Sequence, residues 1–253
     1  MKFLIIVFLT ISTAWARTEP SVLLYNVTKQ STVSARNSDQ VRPLASITKI
    51  MTAMVALETG YGLDRKVDLV KNVGSHLPRQ QYSRRELMTA LLVKSDNAAA
   101  ETLAHDYPGG RTEFLIEMNE LARRLGMKNT HFDDASGLSV KNVSTAEDIV
   151  IMFQEAMKQD FIRTVSTLTR TELEVQGKKR PIKVVFGNTN VTLLEEFKNT
   201  IVSKTGFTNP AGLCVAMALE EQGQQFVVVV MGAGSKKQRI QLVEAAIYNN
   251  LRP

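Results

Sequence analysis

The stretch Ser46-Ile47-Thr48-Lys49-Ile50-Met51-Thr52-Ala53-Met54 decides how this chain is read. Its apolar residues, continued by Val55 and Leu57, recur at helical spacing, and Gly60 supplies a stop. The pattern predicts a buried helix with Ser46 in its first turn, where free backbone N–H groups point outward. Lys49, three residues on, lies over the same face. A serine hydroxyl is a poor nucleophile until a base takes its proton, and a lysine serves as that base only when uncharged near pH 7. The neighbours Ile47, Ile50 and Met51 provide burial, which disfavours the ammonium form.

Two more short motifs follow in order, Ser95-Asp96-Asn97 and Lys204-Thr205-Gly206. Taken singly, each has a plainer explanation: a helix cap, a lysine lying along its own helix, a turn at a strand end. The ordered set carries the information. Ser95 and Asn97 fall on a loop between two helices. There a hydroxyl can relay a proton from Lys49 to a leaving nitrogen, and an amide can hold Lys49 and a substrate backbone. Lys204, Thr205 and Gly206 end an apolar strand. The glycine lets a substrate lie against the strand edge, while Thr205 and Lys204 can receive a carboxylate. Lys204 is expected beside the Ser46 helix, its charge helping to keep Lys49 neutral. The N–H groups of Ser46 and Phe207 are then placed to form an oxyanion hole.

Around these motifs the pattern alternates between sheet and helix. Strands are expected over 21–27, 31–36, 168–175, 182–186, 200–205, 212–219 and 225–231. Ser83-Arg84-Arg85-Glu86 and Ser144-Thr145-Ala146-Glu147 read as capping boxes that open helices. Further helices are expected over 97–105, 112–125 (stopped by Gly126) and 239–251. The resulting fold class is α+β: an antiparallel sheet flanked by helices, with an all-helical lobe of roughly residues 64–159 inserted.

Composition narrows the function classes. Of 253 residues, 44% are hydrophobic and 22% charged, which suits a globular domain with ample core. Lys2, the apolar run from Phe3 to Ile11 and Ala14-Trp15-Ala16 read as an export signal cleaved after Ala16. That leaves 17–253 as a single catalytic domain with no transmembrane anchor, since the run is too short to span a bilayer. The net charge of +6 is spread over scattered clusters (Arg84-Arg85, Lys178-Lys179-Arg180, Lys236-Lys237) without interleaved aromatics, which argues against nucleic acid. His76, His105 and His131 lack metal-ligand spacing, so neither metal nor cofactor is expected. Cys214, the lone cysteine, sits in an apolar run and reads as a buried, inert thiol.

The three motifs together resemble those of the penicillin-binding serine DD-peptidases and the serine β-lactamases. The flanking residues Gly137-Leu138-Ser139-Val140, Asn142-Val143-Ser144-Thr145-Ala146 and Phe207-Thr208-Asn209 make the mature chain similar to the D-alanyl-D-alanine carboxypeptidase/endopeptidase family, nearest its short endopeptidase branch. The resemblance implies Ser46 as acylated nucleophile, Lys49 as general base and Ser95 as the second catalytic hydroxyl. Asn97, Lys204, Thr205, Gly206 and Phe207 are implied as substrate-binding. It also implies peptidoglycan stem peptides as substrate, covalent inhibition by β-lactams, a periplasmic or wall-associated location, and a structural role for 142–146. Asp96 departs from the glycine frequent in the carboxypeptidases and matches many β-lactamases. Hydrolysis of D-Ala cross-links is the expected activity, with D-Ala-D-Ala carboxypeptidase as the alternative. More remote are a class A-like β-lactamase and a non-catalytic β-lactam-sensing or wall-binding module. The β-lactamase needs a second carboxylate, and Glu195 with Asn199, the nearest match in spacing, reads as a surface turn.

Overall fold

The computed structural model describes residues 19–70, 73–175 and 180–252. The expected export signal (1–16) and the lysines at 178 and 179 lie outside them. In chain order the described elements begin with strands β1 (Ser21–Asn26), β2 (Ser31–Arg36) and β3 (Arg42–Pro43), a 3-10 turn (Ala45–Ile47) and helix α1 (Thr48–Glu58). There follow β4 (Lys66–Asp68), β5 (Gln81–Ser83), α2 (Arg84–Thr89), a π turn (Ala90–Lys94), α3 (Asn97–His105) and α4 (Gly110–Leu125). Next come β6 (Val143–Ser144), α5 (Ala146–Ala156), α6 (Asp160–Ser166), β7 (Arg170–Val175), β8 (Ile182–Gly187) and α7 (Val191–Glu196). The chain closes with β9 (Thr200–Thr208), β10 (Gly212–Glu221), β11 (Gln224–Ala233) and α8 (Lys236–Leu251).

The main sheet is antiparallel, in the order β2-β1-β11-β10-β9, so the first two strands join an edge made by the last three. Period-2 alternation divides its central strands between two cores. Val215, Met217 and Leu219 of β10 pack with Val228 and Val230 of β11 against Val243 and Ile247 of α8. Their neighbours Cys214, Ala216 and Ala218 face the other way, into the larger core shared with α1, α3, α4 and α5. Small residues on that face let the helices approach the sheet closely. Helix α1 lies at the centre, buried from Thr48 to Ala56.

Several expectations are met in local detail. Ser83 and Glu86 form the reciprocal capping box of α2, and Gly126 ends α4 with φ +85°. Cys214 is fully buried, which pushes its thiol up to about 11. Other elements differ from the pattern reading. The cap of α5 is Thr145, which accepts the N–H of Asp148, one residue later than the box drawn from Ser144. Ser144 instead shares a 2.7 Å hydrogen bond with Thr130. The stretch 64–159 carries the short pair β4–β5 and the strand β6, which pairs with β3 outside it, along with its helices. Glu195 lies on α7, where a plain turn was expected, because Leu193 and Leu194 bury one side of that short helix.

Candidate active site

Four stretches of chain meet at one end of α1. The first is the turn before it. Ala45 has φ +47°, a left-handed conformation that costs a non-glycine residue on the order of 1 kcal/mol and that lifts Ser46 out of the helix line. Two glycines hold this turn from either side. A Cβ on Gly137 (φ +83°) would stand 2.0 Å from the Ala45 carbonyl oxygen, and one on Gly206 would stand 2.9 Å from that of Leu44 and 3.0 Å from the Ser46 nitrogen. Only glycine fits at 137, and β9 can lie directly against the turn only because residue 206 has no side chain.

Lys49 projects from the first turn of α1 and is fully buried. Its Nζ lies 3.0 Å from Ser46 Oγ and donates to Asn97 Oδ1 at 2.8 Å and to the carbonyl of Ser136. Burial lowers its pKa to about 7, partly opposed by the carboxylates of Asp134, Asp96 and Glu101. A neutral amine has two N–H bonds and one lone pair. With Asn97 Oδ1 and the Ser136 carbonyl taking the N–H bonds, the lone pair is left for the Ser46 hydroxyl.

The second motif sits where a helix breaks. The π turn ends at Ser95, which takes φ +63°, and Asp96 then caps α3 by accepting the N–H of Ala99. Asp96 is buried and also receives Ser75 Oγ at 2.9 Å and the His76 N–H. Its side chain is thereby occupied in structure, with Ser95 and Asn97 exposed to the site on either side of it. Such π turns recur where a helix must present a functional residue.

The third motif runs along β9, the sheet's outer strand. Lys204 points to the helical side, its Nζ donating to Ser95 Oγ at 2.9 Å and to the Thr205 carbonyl at 3.0 Å. Burial, followed by the proximity of Lys49 and Arg239, holds Lys204 well below the usual lysine range. The simple picture of a fixed cation at 204 tuning Lys49 therefore changes: both amines are lowered chiefly by burial. Thr205 Oγ1 donates to Thr189 Oγ1 at 2.7 Å, and Phe207 stands 58% exposed beside the opening.

A cavity of about 350 Å³ opens here, lined by Ser46, Ser95, Thr205, Gly206, Lys236 and Arg239 among others. Arg239 escaped the sequence reading, as did Thr189, Lys236 and the Ser136 carbonyl. A signal for Arg239 was present: a cation four residues before Val243, on the stripe of α8 that faces the sheet. It is 95% buried, and its Nε has no hydrogen-bond partner. A backbone acceptor such as the Ser136 carbonyl leaves no trace in residue identity. The Glu195–Asn199 pair is absent from this cavity; Asn199 instead donates to the Glu220 carbonyl. Among the described residues no group of metal-ligating side chains is found.

Residues 16–235 match the family model described as D-alanyl-D-alanine carboxypeptidase. The chain is 37% identical over 224 residues to a D-alanyl-D-alanine endopeptidase of Escherichia coli, covering 85% of this chain and 72% of the relative. It is 36% identical to the protein of that description from Pseudomonas aeruginosa, covering 83% and 71%. Among solved structures, a mutant of Streptomyces K15 DD-transpeptidase superposes with a TM-score of 0.85 at 27% identity, covering 91% and 96%. Cefotaxime-bound penicillin-binding protein D2 of Listeria monocytogenes gives 0.81 at 29%, covering 92% and 96%. With the family model spanning most of its length, the chain is a member of the D-alanyl-D-alanine carboxypeptidase family of serine peptidases.

Proposed function

We propose that this protein is an exported serine D-alanyl-D-alanine peptidase that hydrolyses D-Ala cross-links between peptidoglycan stem peptides through an acyl-Ser46 intermediate. One observation carries the reading: a fully buried lysine, with its pKa brought to about 7, 3.0 Å from a serine oxygen on a strained turn. In the acylation step neutral Lys49 takes the Ser46 proton as Oγ bonds to the carbonyl carbon of the D-Ala residue. The carbonyl electron pair moves to oxygen, where the N–H groups of Ser46 and Phe207 stabilise it. When the tetrahedral centre collapses, its bond to nitrogen breaks. The leaving amine receives, relayed through the Ser95 hydroxyl, the proton that Lys49 took from Ser46, so Lys49 is neutral again; Lys204 holds Ser95 in place. Water then repeats the sequence on the ester and frees Ser46.

Asn97 has two ends. Its oxygen holds Lys49, and its NH₂ is left for a substrate carbonyl. On the leaving-group side, Thr205, Lys236 and the unpaired Arg239 offer a cationic chamber for a carboxylate. The endopeptidase descriptions of the two relatives favour a cross-link as substrate over a terminal D-Ala. No carboxylate lines the cavity among the described residues, so hydrolysis of a β-lactam adduct has no base there beyond Lys49, and the adduct should persist longer than in an enzyme with a dedicated deacylating carboxylate. Persistence separates this reading from a β-lactamase. The same family and the short apolar N-terminal run favour a periplasmic location.

The deciding experiment gives the protein cross-linked muropeptide dimers and pentapeptide monomers and identifies the products by mass. Cleavage of dimers is expected; cleavage of monomers alone would replace endopeptidase with carboxypeptidase. Ser46→Ala should abolish both hydrolysis and covalent labelling by a fluorescent penicillin, and labelling that survived would exclude Ser46 as nucleophile.

A further inference from the structure

We infer that Asp134 is a positioning residue for the catalytic lysine, acting through the peptide plane between Ser136 and Gly137. Asp134 is buried, and its carboxylate is ringed by the loop that follows it. Oδ1 accepts the N–H of Ser136 at 2.9 Å, the N–H of Gly137 and Asn142 Nδ2 at 3.2 Å, while Oδ2 accepts the N–H of Ser139 at 2.6 Å. In a trans peptide the C=O and the next N–H point in opposite directions. With the Gly137 N–H turned to Asp134, the Ser136 carbonyl is turned away from it, and it meets Lys49 Nζ. One carboxylate therefore aims the acceptor that occupies one of the two N–H bonds of a neutral Lys49.

The arrangement is tied back to α1. Asn142 Oδ1 accepts the N–H groups of Asp133 and Asp134, and its Nδ2 donates to the Asp134 carbonyl at 3.0 Å and to Thr48 Oγ1 at 3.1 Å. Thr48 is next to Lys49. Glu101 Oε1 accepts the Ala135 N–H at 3.2 Å and closes the other side of the loop. The charged groups facing Lys49 are Asp134, Asp96 and Glu101, which favour its protonated form, and Lys204, itself lowered by burial and by the proximity of Lys49. Asp134 is the largest of the three carboxylate influences, so its removal has a sign. Without that charge Lys49 loses its proton more easily.

This inference rests on the assignment of Lys49 as base. The test measures second-order acylation by a fluorescent penicillin from pH 5 to 9 for the wild type, Asp134→Asn and Asp134→Ala, with circular dichroism as a check on folding. An asparagine oxygen can keep the bonds to Oδ1 but loses the charge and the bond to Ser139. Asp134→Asn should lower the plateau rate about tenfold and move the acid limb to lower pH. Asp134→Ala should lower the plateau about a hundredfold if it folds. An acid limb unmoved in Asp134→Asn would overturn the inference, as would a plateau within twofold of wild type. Loss of fold in both variants would overturn it as well, reducing the side chain to structural support. A wild type that fails to acylate, or lacks an acid limb, would instead sink the assignment of Ser46 and Lys49.

Discussion

Lys204 Nζ donates to Ser95 Oγ at 2.9 Å, joining the sheet edge to the break before α3 across 109 positions of sequence. Lys49 makes the complementary join, from Ser46 to Asn97. Two lowered amines thus stand on either side of the Ser95-Asp96-Asn97 loop, one bonded to each of its exposed ends. In water two such cations would repel and separate. Here burial neutralises the cost by lowering both pKa values.

Removing the bridging hydroxyl should separate proton delivery from nucleophilic attack. Ser95→Ala is expected to slow muropeptide hydrolysis on the order of a hundredfold, within the range of general acid catalysis. Penicillin labelling of Ser46 should be slowed less. Comparing the two rates in one preparation checks this, and an equal loss in both would show that Ser95 acts on the attack itself.

With Lys49 as the proposed base, active when neutral, the acylation rate should fall on the acid side of about pH 7, approaching tenfold per pH unit. Stability has a related sign. A lysine lowered by burial binds its proton in the unfolded chain first, so stability rises with pH from about 7 toward the ordinary lysine value. Lys49→Met removes that penalty and should abolish acylation while raising stability at pH 7 by about 1–2 kcal/mol. Urea unfolding at pH 7 and pH 9 measures both effects, with the gain from the substitution shrinking at the higher pH.

Gly137→Ala should be severe for its size. A methyl group 2.0 Å from the Ala45 carbonyl, at φ +83°, must displace the turn that carries Ser46. A loss of about 3 kcal/mol or more is expected in denaturant unfolding, with penicillin acylation reduced in the molecules that still fold.

Arg239→Leu should do the opposite to stability. Its buried Nε lacks a partner, so an apolar replacement should leave the fold intact or raise stability by about 1 kcal/mol. The KM for a substrate bearing a carboxylate on the leaving-group side should rise about tenfold or more, with a smaller effect when that carboxylate is amidated. A steady-state comparison of the two substrates decides it.

The pattern reading recovered the main sheet from runs of apolar and β-branched residues bounded by Gly, Asn and Lys in β9, β10 and β11, and the long helices from a period of about 3.6 in α1 and α4. It missed the helical α6 and α7, each under two full turns, and the two- and three-residue strand pairs, which are too short to express a period. At the site, the residues named from motifs meet at one end of α1, with Lys49 bonded to both Ser46 and Asn97 and Lys204 to Ser95. What stayed illegible was of two kinds. The strain at Ala45 and the Ser136 carbonyl are backbone properties. Arg239 and Thr189 come from segments with no motif of their own and reach the cavity only through tertiary packing.

Lys49 has bonding partners at positions 46, 97 and 136, and the glycines at 137 and 206 clamp its turn from both sides. No contiguous fragment shorter than that span brings these groups together. On the proposed mechanism, a nascent chain that has not yet reached residue 206 therefore holds an ordinary serine and an ordinary ammonium, inert toward amides. With the proposed reactivity dependent on all of these contacts, covalent capture by a penicillin should be a sensitive gauge of how completely a preparation has matured.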